Sequence, residues 1–184
     1  MRQPLHALKQ DHRVIERALR ALDGICLRLR LGEEIPHSSL AQIVAFISTF
    51  ADRYHHGKEE SYLFPALERR GILREGGPLA IIEQQHEIER KLTAQMHRAL
   101  EEYEHLDQES GRRFVEAARR YTDHLINHIQ TEDSLLFRLA DEILEDADIA
   151  EMKKGFERSE SELSPLTREE YEKLSTELEN SWVV

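Results

Sequence analysis

Two histidine–glutamate pairs are the residues of this sequence best suited to bind a metal ion. His56 and Glu60 are four residues apart, and the same spacing recurs in His128 and Glu132. On an α-helix this spacing places both side chains on one face, one turn apart. A neutral imidazole and a carboxylate so placed can bind the same borderline metal ion. Each pair is therefore a candidate half-site.

A single histidine lies well before each pair. His12 precedes the first pair and His86 precedes the second, in the similar settings Gln-Asp-His and Gln-Gln-His. The offsets between the two copies are nearly constant, at 86 − 12 = 74, 128 − 56 = 72 and 132 − 60 = 72. The sequence thus carries one unit of two histidines and a glutamate twice, which predicts a centre with two metal ions.

The apolar pattern places several of these candidates inside a helical bundle. Apolar residues from Leu5 to Leu29 recur three and four residues apart, as on a buried helix face, and His12 occupies one such position. His128 and Glu132 hold equivalent positions in the fourth helix. A buried, unpaired carboxylate is unstable unless it takes up a proton, and a bound cation removes that penalty. The alternatives are an arginine salt bridge for Glu132 and a purely structural core position for His12.

The composition suits a small helical domain. The chain has 184 residues, of which 40% are hydrophobic and 33% charged, as expected for one domain with a thin core. The 36 acidic and 25 basic residues give a net charge of −11, which disfavours nucleic acid and anionic membranes as partners. Cys26 is the only cysteine, which excludes an intrachain disulfide and a cysteine-held zinc or iron–sulfur site. Without a signal peptide or an apolar run of about 20 residues, a cytoplasmic location is expected.

Glycine and proline divide the sequence into four long helices. This predicts an all-α fold, an up-down-up-down four-helix bundle over residues 1–147. Residues 148–184 are predicted to form a charged linker, including the polar stretch from Ser159 to Pro165, and a short C-terminal helix. Thr167 and Glu170 have the spacing of a capping box at the start of that helix. The apolar stripe of the helix predicts docking either on the bundle or on a second subunit, which would give a homodimer.

These features resemble the hemerythrin family, and most closely the bacterial hemerythrin-like proteins with an HHE cation-binding domain. The stretch His56-Gly57-Lys58-Glu59-Glu60, followed by Leu63-Phe64-Pro65, is similar to the signature of that family. The stretch from His128 to Glu132, followed by Leu136-Phe137, is similar to its second half. The resemblance covers residues 4–145 and implies a four-helix bundle with a non-heme di-iron centre.

Two departures from the oxygen-carrying hemerythrins argue against reversible oxygen carriage. In those carriers the third helix has a His-x-x-x-His pair, whereas Arg90 stands four residues after His86 here. Their fourth helix has its carboxylate five residues after the histidine, whereas the gap here is four. His124, one turn before His128, is an additional candidate for the missing imidazole, and Glu89 is a further candidate ligand.

The resemblance implies two iron ions as the cofactor, joined by an oxo or hydroxo bridge. The expected ligands are His12, His56, Glu60, His86, His128 and Glu132. The two glutamates are expected to bridge the ions, while the first two histidines bind one ion and the last two bind the other. The open coordination positions would accept a diatomic molecule or peroxide. Imidazole and carboxylate ligands also suit zinc or manganese.

Three functions are compatible with these residues. The leading hypothesis is a di-iron protein that binds or reduces oxygen, peroxide or nitric oxide, in the response to oxidative or nitrosative stress or in its sensing. Peroxidase, catalase-like or oxidase turnover is left open. The second hypothesis is an iron sensor or iron-storage protein without turnover. The third is a helical interaction module with incidental histidines, which the repeated motif disfavours.

Overall fold

Six helices make up the fold in a computed structural model that describes residues 2–104, 107–162 and 165–183. They are α1 (Gln3–Arg30), α2 (residues 37–69), α3 (Pro78–Glu101), α4 (residues 108–143), α5 (Asp146–Glu162) and α6 (Arg168–Trp182). The prediction of an all-α helical bundle with a C-terminal helical extension is confirmed. Among the described residues, none of the helices is both long enough and apolar enough to cross a membrane.

Local sequence signals set the helix ends. Pro4 lies in the first turn of α1, where a missing N–H leaves no hydrogen bond unmade. Gly32 follows α1 with a φ of 80°, the left-handed conformation that commonly terminates a helix. Asp107 caps α4 by accepting hydrogen bonds from the backbone N–H groups of Glu109 and Ser110.

Two helices contain π-helical turns, in which backbone hydrogen bonds span five residues instead of four. The segments of α2 are the α-helical His37–Phe46 and Phe64–Arg69 and the π-helical Ile47–His56 and Glu59–Leu63. The segments of α4 are the α-helical Gln108–Thr131 and Phe137–Ile143 and the π-helical Glu132–Leu136. Such turns are frequent at functional sites. Here two of them begin at a glutamate, Glu59 in α2 and Glu132 in α4.

Two apolar clusters fill the interior, with a polar layer between them. The larger cluster includes Ile15 and Leu125, and the smaller includes Leu8 and Phe137. Fully burying one such side chain stabilises the fold by roughly 1.5–3 kcal/mol. His12 lies between Leu8 and Ile15 in α1 and is itself fully buried. The apolar clusters therefore hold a layer of ionisable side chains away from water.

Helix α5 occupies most of the stretch that was predicted to be a linker. Its residues Ile149, Met152 and Phe156 recur three and four residues apart and pack into the smaller apolar cluster. This apolar face stabilises a helix although most neighbouring residues are polar. The prediction of a linker is therefore wrong for residues 148–162, while Leu163 and Ser164 lie outside the described residues.

Helix α6 packs along α1. Its Tyr171 and Leu178 are buried in the larger apolar cluster, so its apolar stripe docks on the bundle of the same chain. The two helices approach closely at Gly24, where an added Cβ would overlap the backbone carbonyl of Trp182. The guanidinium of Arg28 lies over the Trp182 ring, 5.1 Å from its centroid. The C-terminal helix is thus an integral part of the described fold.

Candidate metal centre

Seven buried side chains with metal-binding atoms meet in the polar layer. They are His12, His55, His56, Glu59, His86, His128 and Glu132, each at most 1% exposed. All four bundle helices contribute at least one of them. Their ligand atoms form two groups, and within each group all of these atoms lie within 4.8 Å of one another.

One glutamate belongs to both groups. The first group is His12, His55, Glu59 and Glu132, and the second group is His56, Glu59, His86 and His128. One oxygen of Glu59 lies 3.6 Å from Nε2 of His55, and its other oxygen lies 3.6 Å from Nε2 of His86. The carboxylate of Glu59 therefore points one oxygen at each group.

Glu132 also lies between the groups. Its Oε2 is 3.1 Å from Nε2 of His12 and 3.3 Å from Nε2 of His128. Its Oε1 is 3.8 Å from Nε2 of His86. A cation in either group would therefore be within reach of this carboxylate.

Two further carboxylates orient two of the histidines. Nδ1 of His12 donates to Oδ1 of Asp133 at 2.9 Å, and Nδ1 of His86 donates to Oε1 of Glu60 at 2.7 Å. Burial opposes ionisation of both carboxyls. Hydrogen bonds from these histidines, together with Arg90 beside Glu60 and Lys9 beside Asp133, nevertheless lower the pKa of each. An ionised carboxylate can only accept a hydrogen bond, so the proton is on Nδ1 and the Nε2 lone pair faces the site.

The remaining histidines have similar outer neighbours. Nδ1 of His128 donates to Oε1 of Gln85 at 3.0 Å. Nδ1 of His55 lies 3.7 Å from Oδ2 of Asp11. Each of these rings therefore also turns its Nε2 towards the interior of the bundle.

His56 follows the same pattern, with its Nδ1 3.6 Å from Oδ1 of Asp52. Burial and the neighbouring His86 lower the pKa of His56 to about 3. The ring of His56 stacks on that of His86, with centroids 4.0 Å apart. A neutral imidazole is the form that binds a metal ion.

The inward atoms of the centre lack hydrogen-bond partners. Among the described residues, the buried polar atoms without a partner include Nε2 of His55, His56, His86 and His128, both oxygens of Glu59 and Oε1 of Glu132. Leaving a buried polar atom unsatisfied costs about 1–3 kcal/mol, and native proteins rarely accept many such atoms. Cations coordinated by these nitrogens and oxygens would satisfy all of them. The residues present therefore fit two metal ions.

Burial shifts several ionisable groups of the centre towards their uncharged forms. Burial raises the pKa of Glu59 and of Glu132 well above the usual range, and the closeness of the two carboxyls adds to the effect on Glu132. Burial likewise lowers the pKa of His86 and of His128. Burial thus favours the neutral forms of these four groups, and a bound cation would favour the ionised carboxylates instead.

A charged network lies behind His55. Asp11 is fully buried and accepts hydrogen bonds from Nζ of Lys58 and, at 2.9 Å, from Nε of Arg168 in α6. Burial opposes ionisation of Asp11, but Lys58 and His55 outweigh it and lower its pKa. The Lys58 ammonium also lies 3.9 Å from the ring centroid of Tyr54. The C-terminal helix therefore contacts a carboxylate that adjoins the first group.

The structure brings together most of the residues predicted from the sequence, but it does not place Glu60 in either group. Glu60 instead binds His86 from outside and accepts from Nη2 of Arg90 at 2.6 Å. Glu59 takes the inward position because both His55 and His56 face the site. Glu59 follows His56 by three residues and His55 by four, so it lies about one helical turn from both and shares their inward face.

The predicted pairing of the histidines also needs correction. His56 lies with His86 and His128 in the second group, whereas the partner of His12 in the first group is His55. His55 and Glu59 were missed, although the sequence contains a signal for them. The differences 128 − 55 and 132 − 59 are both 73, and Glu-Glu-Ser after Lys58 matches Glu-Asp-Ser after Thr131.

The two additional candidates lie beside the second group. Oε2 of Glu89 is 3.4 Å from Nε2 of His56, and Oε1 of Glu89 is 3.6 Å from Nε2 of His124. Neither residue belongs to the two groups. Glu89 is buried, and burial raises its pKa well above the usual range.

Comparison with known proteins agrees with this geometry. The family described as Hemerythrin HHE cation binding domain matches residues 3–140. Uncharacterized proteins of Mycobacterium bovis and Mycobacterium tuberculosis are each 26% identical to the chain over 153 residues. That match covers 83% of this chain but 59% of each relative, so the chain spans about three-fifths of the length of these curated relatives. No solved structure shows a significant match.

Proposed function

Because this chain belongs to the hemerythrin HHE cation-binding family, we propose that it is a non-heme di-iron protein. Its proposed role is to bind or reduce a small oxidant such as oxygen, peroxide or nitric oxide. The observation that carries this proposal is the pair of buried ligand groups that share Glu59. Two adjacent ions with a common carboxylate are suited to act on one small molecule together.

The proposed ligands divide unequally between the two ions. The first ion would be held by His12 and His55 and the second by His56, His86 and His128, with Glu59 and Glu132 within reach of both. When bound, an iron pair supplies two electrons to the oxidant. With one imidazole fewer, the first group would leave more coordination positions open for that oxidant.

The protein's own residues prepare the centre for this chemistry. The outer partners fix each ring with Nε2 inward, so little reorganisation is needed when a cation binds. Phe64 and Phe137, on the side of the smaller apolar cluster, stack on His86 and His12 and help to exclude water. The only thiol, that of Cys26, belongs to the larger apolar cluster instead. The donor set of imidazole and carboxylate suits iron in both common oxidation states.

Metal analysis combined with an optical spectrum tests the proposal. We expect close to two irons per chain in protein purified aerobically, with diferric absorption in the near ultraviolet and visible that zinc cannot produce. The ratio should be compared with that of a Glu59→Ala variant prepared in parallel. One ion per chain, or a colourless zinc protein, would contradict the di-iron function.

The contact between Asp11 and Arg168 favours an iron sensor without turnover as a second candidate. A cation at His55 would change the electrostatic environment of Asp11, which accepts a hydrogen bond from α6. A sensor would show metal-dependent protection of α6 from proteolysis and no consumption of peroxide. Catalytic loss of peroxide with the iron-loaded protein, absent in the metal-free protein, would favour the oxidant-reducing function.

A further inference from the structure

We propose that Glu89 and His124 form a transit site through which a divalent cation reaches the second group from solvent. The inference rests on the proposed metal centre and deepens it, because it assigns a route by which the buried ligands are filled. The second group is fully enclosed, so a cation cannot reach it without passing other side chains.

The three side chains along this route form a chain of close contacts. Nε2 of His124 is 3.6 Å from Oε1 of Glu89, whose Oε2 is 3.4 Å from Nε2 of His56. The side chain of His124 is 24% exposed, whereas that of Glu89 is 2% exposed. Metal-binding atoms therefore lead stepwise from a partly exposed position to the buried group.

In the described part of the chain, no hydrogen bond engages the metal-binding atoms along the route. Both oxygens of Glu89 and Nε2 of both histidines are buried and lack a hydrogen-bond partner. An unpaired buried carboxyl destabilises a fold. Transient binding of a cation gives these atoms a partner that the protein itself does not provide.

The other half of the bundle shows that packing alone does not require these residues. The counterpart of Glu89, 74 positions earlier as for His86 and His12, is Ile15. The counterpart of His124, 73 positions earlier as for His128 and His55, is Ala51. Both counterparts are buried apolar residues of the larger cluster. Glu89 and His124 are therefore polar residues where the other half of the bundle has apolar ones, and they lie beside the second group only.

A transit role follows from the unequal strength of the two positions. Glu89 and His124 offer one carboxylate and one imidazole, whereas the second group offers three imidazoles and the shared Glu59. A cation held at the weaker position would therefore move on to the stronger one. The path residues should change the rate of loading without changing the final occupancy.

Cobalt(II) uptake by the full-length metal-free protein tests this inference. Stopped-flow absorbance would give the loading rate of wild type, Glu89→Gln and His124→Gln. His97→Gln is the matched control, because His97 is an exposed histidine on α3 that contacts Ser48 instead. We expect both path variants to load about tenfold more slowly or worse, because each loses one of the two weak metal-binding groups that precede the second group. Release to a chelator should slow by the same factor, leaving Kd and the final ratio of cobalt to protein unchanged.

The outcomes separate the inference from the function on which it rests. Wild type that binds no cobalt would contradict the metal centre itself. Wild type that fills both positions while both path variants load at its rate would overturn the transit site alone. A lower final ratio in Glu89→Gln, with an unchanged melting temperature, would make Glu89 a permanent ligand and also overturn transit.

Discussion

The half of the bundle formed by α1 and α2 and the half formed by α3 and α4 carry the same residues in the same order. The corresponding pairs are His12 and His86, His55 and His128, Glu59 and Glu132, Glu60 and Asp133, and Phe64 and Phe137. Within each half, a lone histidine on one helix is followed by a His-x-x-x-Glu-acid segment on the next. The two halves therefore contribute equivalent candidate ligands to the proposed centre.

Each half orients the lone histidine of the other. Asp133 in the second half binds Nδ1 of His12 in the first, and Glu60 in the first half binds Nδ1 of His86 in the second. The aromatic contacts are reciprocal too. The Phe137 ring stacks on His12 with centroids 5.3 Å apart, and the Phe64 ring stacks on His86. In each half the outer carboxylate of the lone histidine thus comes from the other half.

The halves differ at positions that bear on the metal ions. His56 in α2 corresponds to Ile129 in α4, so only the first half supplies an extra imidazole. Asp11 beside His55 corresponds to the neutral Gln85 beside His128. A buried carboxylate requires cationic partners, and one of those partners comes from α6. The comparison teaches that the ligand frame is shared, while ligand number and contact with α6 are specific to one half.

The largest expected effect comes from removing what both halves share, the bound ions. A ligand that binds only the folded state stabilises it by about 4 kcal/mol at a thousandfold excess over Kd. Chelation should therefore lower the melting temperature clearly, by roughly 2–4 °C for each kcal/mol in a chain of this size. Calorimetry with and without chelator measures this. An unchanged melting temperature after confirmed metal loss would show that the two halves do not depend on the ions to stay together.

Glu59→Ala should abolish binding of both ions, because Glu59 is the residue common to the two groups. Glu60→Gln is the matched variant one position away, and it replaces the anionic outer partner of His86 and Arg90 by a neutral amide. It should keep both ions with an affinity that falls by about 10–100-fold. Metal analysis of both variants after equal loading distinguishes these results. Loss of both ions from Glu60→Gln but not from Glu59→Ala would reverse the assignment.

His56→Ile should remove the main difference between the halves by copying Ile129. The second group then loses one of its three imidazoles, while the first group keeps all of its ligands. We expect the second ion to weaken until it is held no more tightly than the first, measured by competition with a chromophoric chelator. Two ions held as tightly as in wild type would mean that His56 is not a ligand.

Arg168→Gln should have the smallest effect, because Lys58 still pairs with Asp11 in that variant. Loss of one charged hydrogen bond costs about 1.5–3 kcal/mol when buried, and less for this half-buried arginine. The affinity of the first ion should fall several-fold, with the second ion unaffected. Arg113→Gln, on an exposed face of α4, serves as the control. Equal weakening of both ions would argue for a general loss of stability instead.

Much of this arrangement could be predicted from the sequence. Periodic apolar residues and glycine or proline boundaries indicated the bundle. His12, His128 and Glu132 were predicted as ligands because each holds an apolar-face position, and His86 because it repeats His12. Glu59 was missed because the four-residue spacing was counted from His56 alone. Counted from His55, which also faces the site, the same spacing leads to Glu59. The contact between Asp11 and Arg168 joins residues 157 positions apart, which no local pattern indicates.

The reciprocal orientation of His12 and His86 has a consequence for how such a chain could arise. A single helical hairpin with one lone histidine and one His-x-x-x-Glu-acid segment cannot complete a centre, but two identical hairpins related by a twofold axis can. Gene duplication and fusion of such a hairpin would preserve the centre in one chain. Each copy could then diverge separately, so that one gained His56 and the other gained Glu89 while the joint ligand frame was retained.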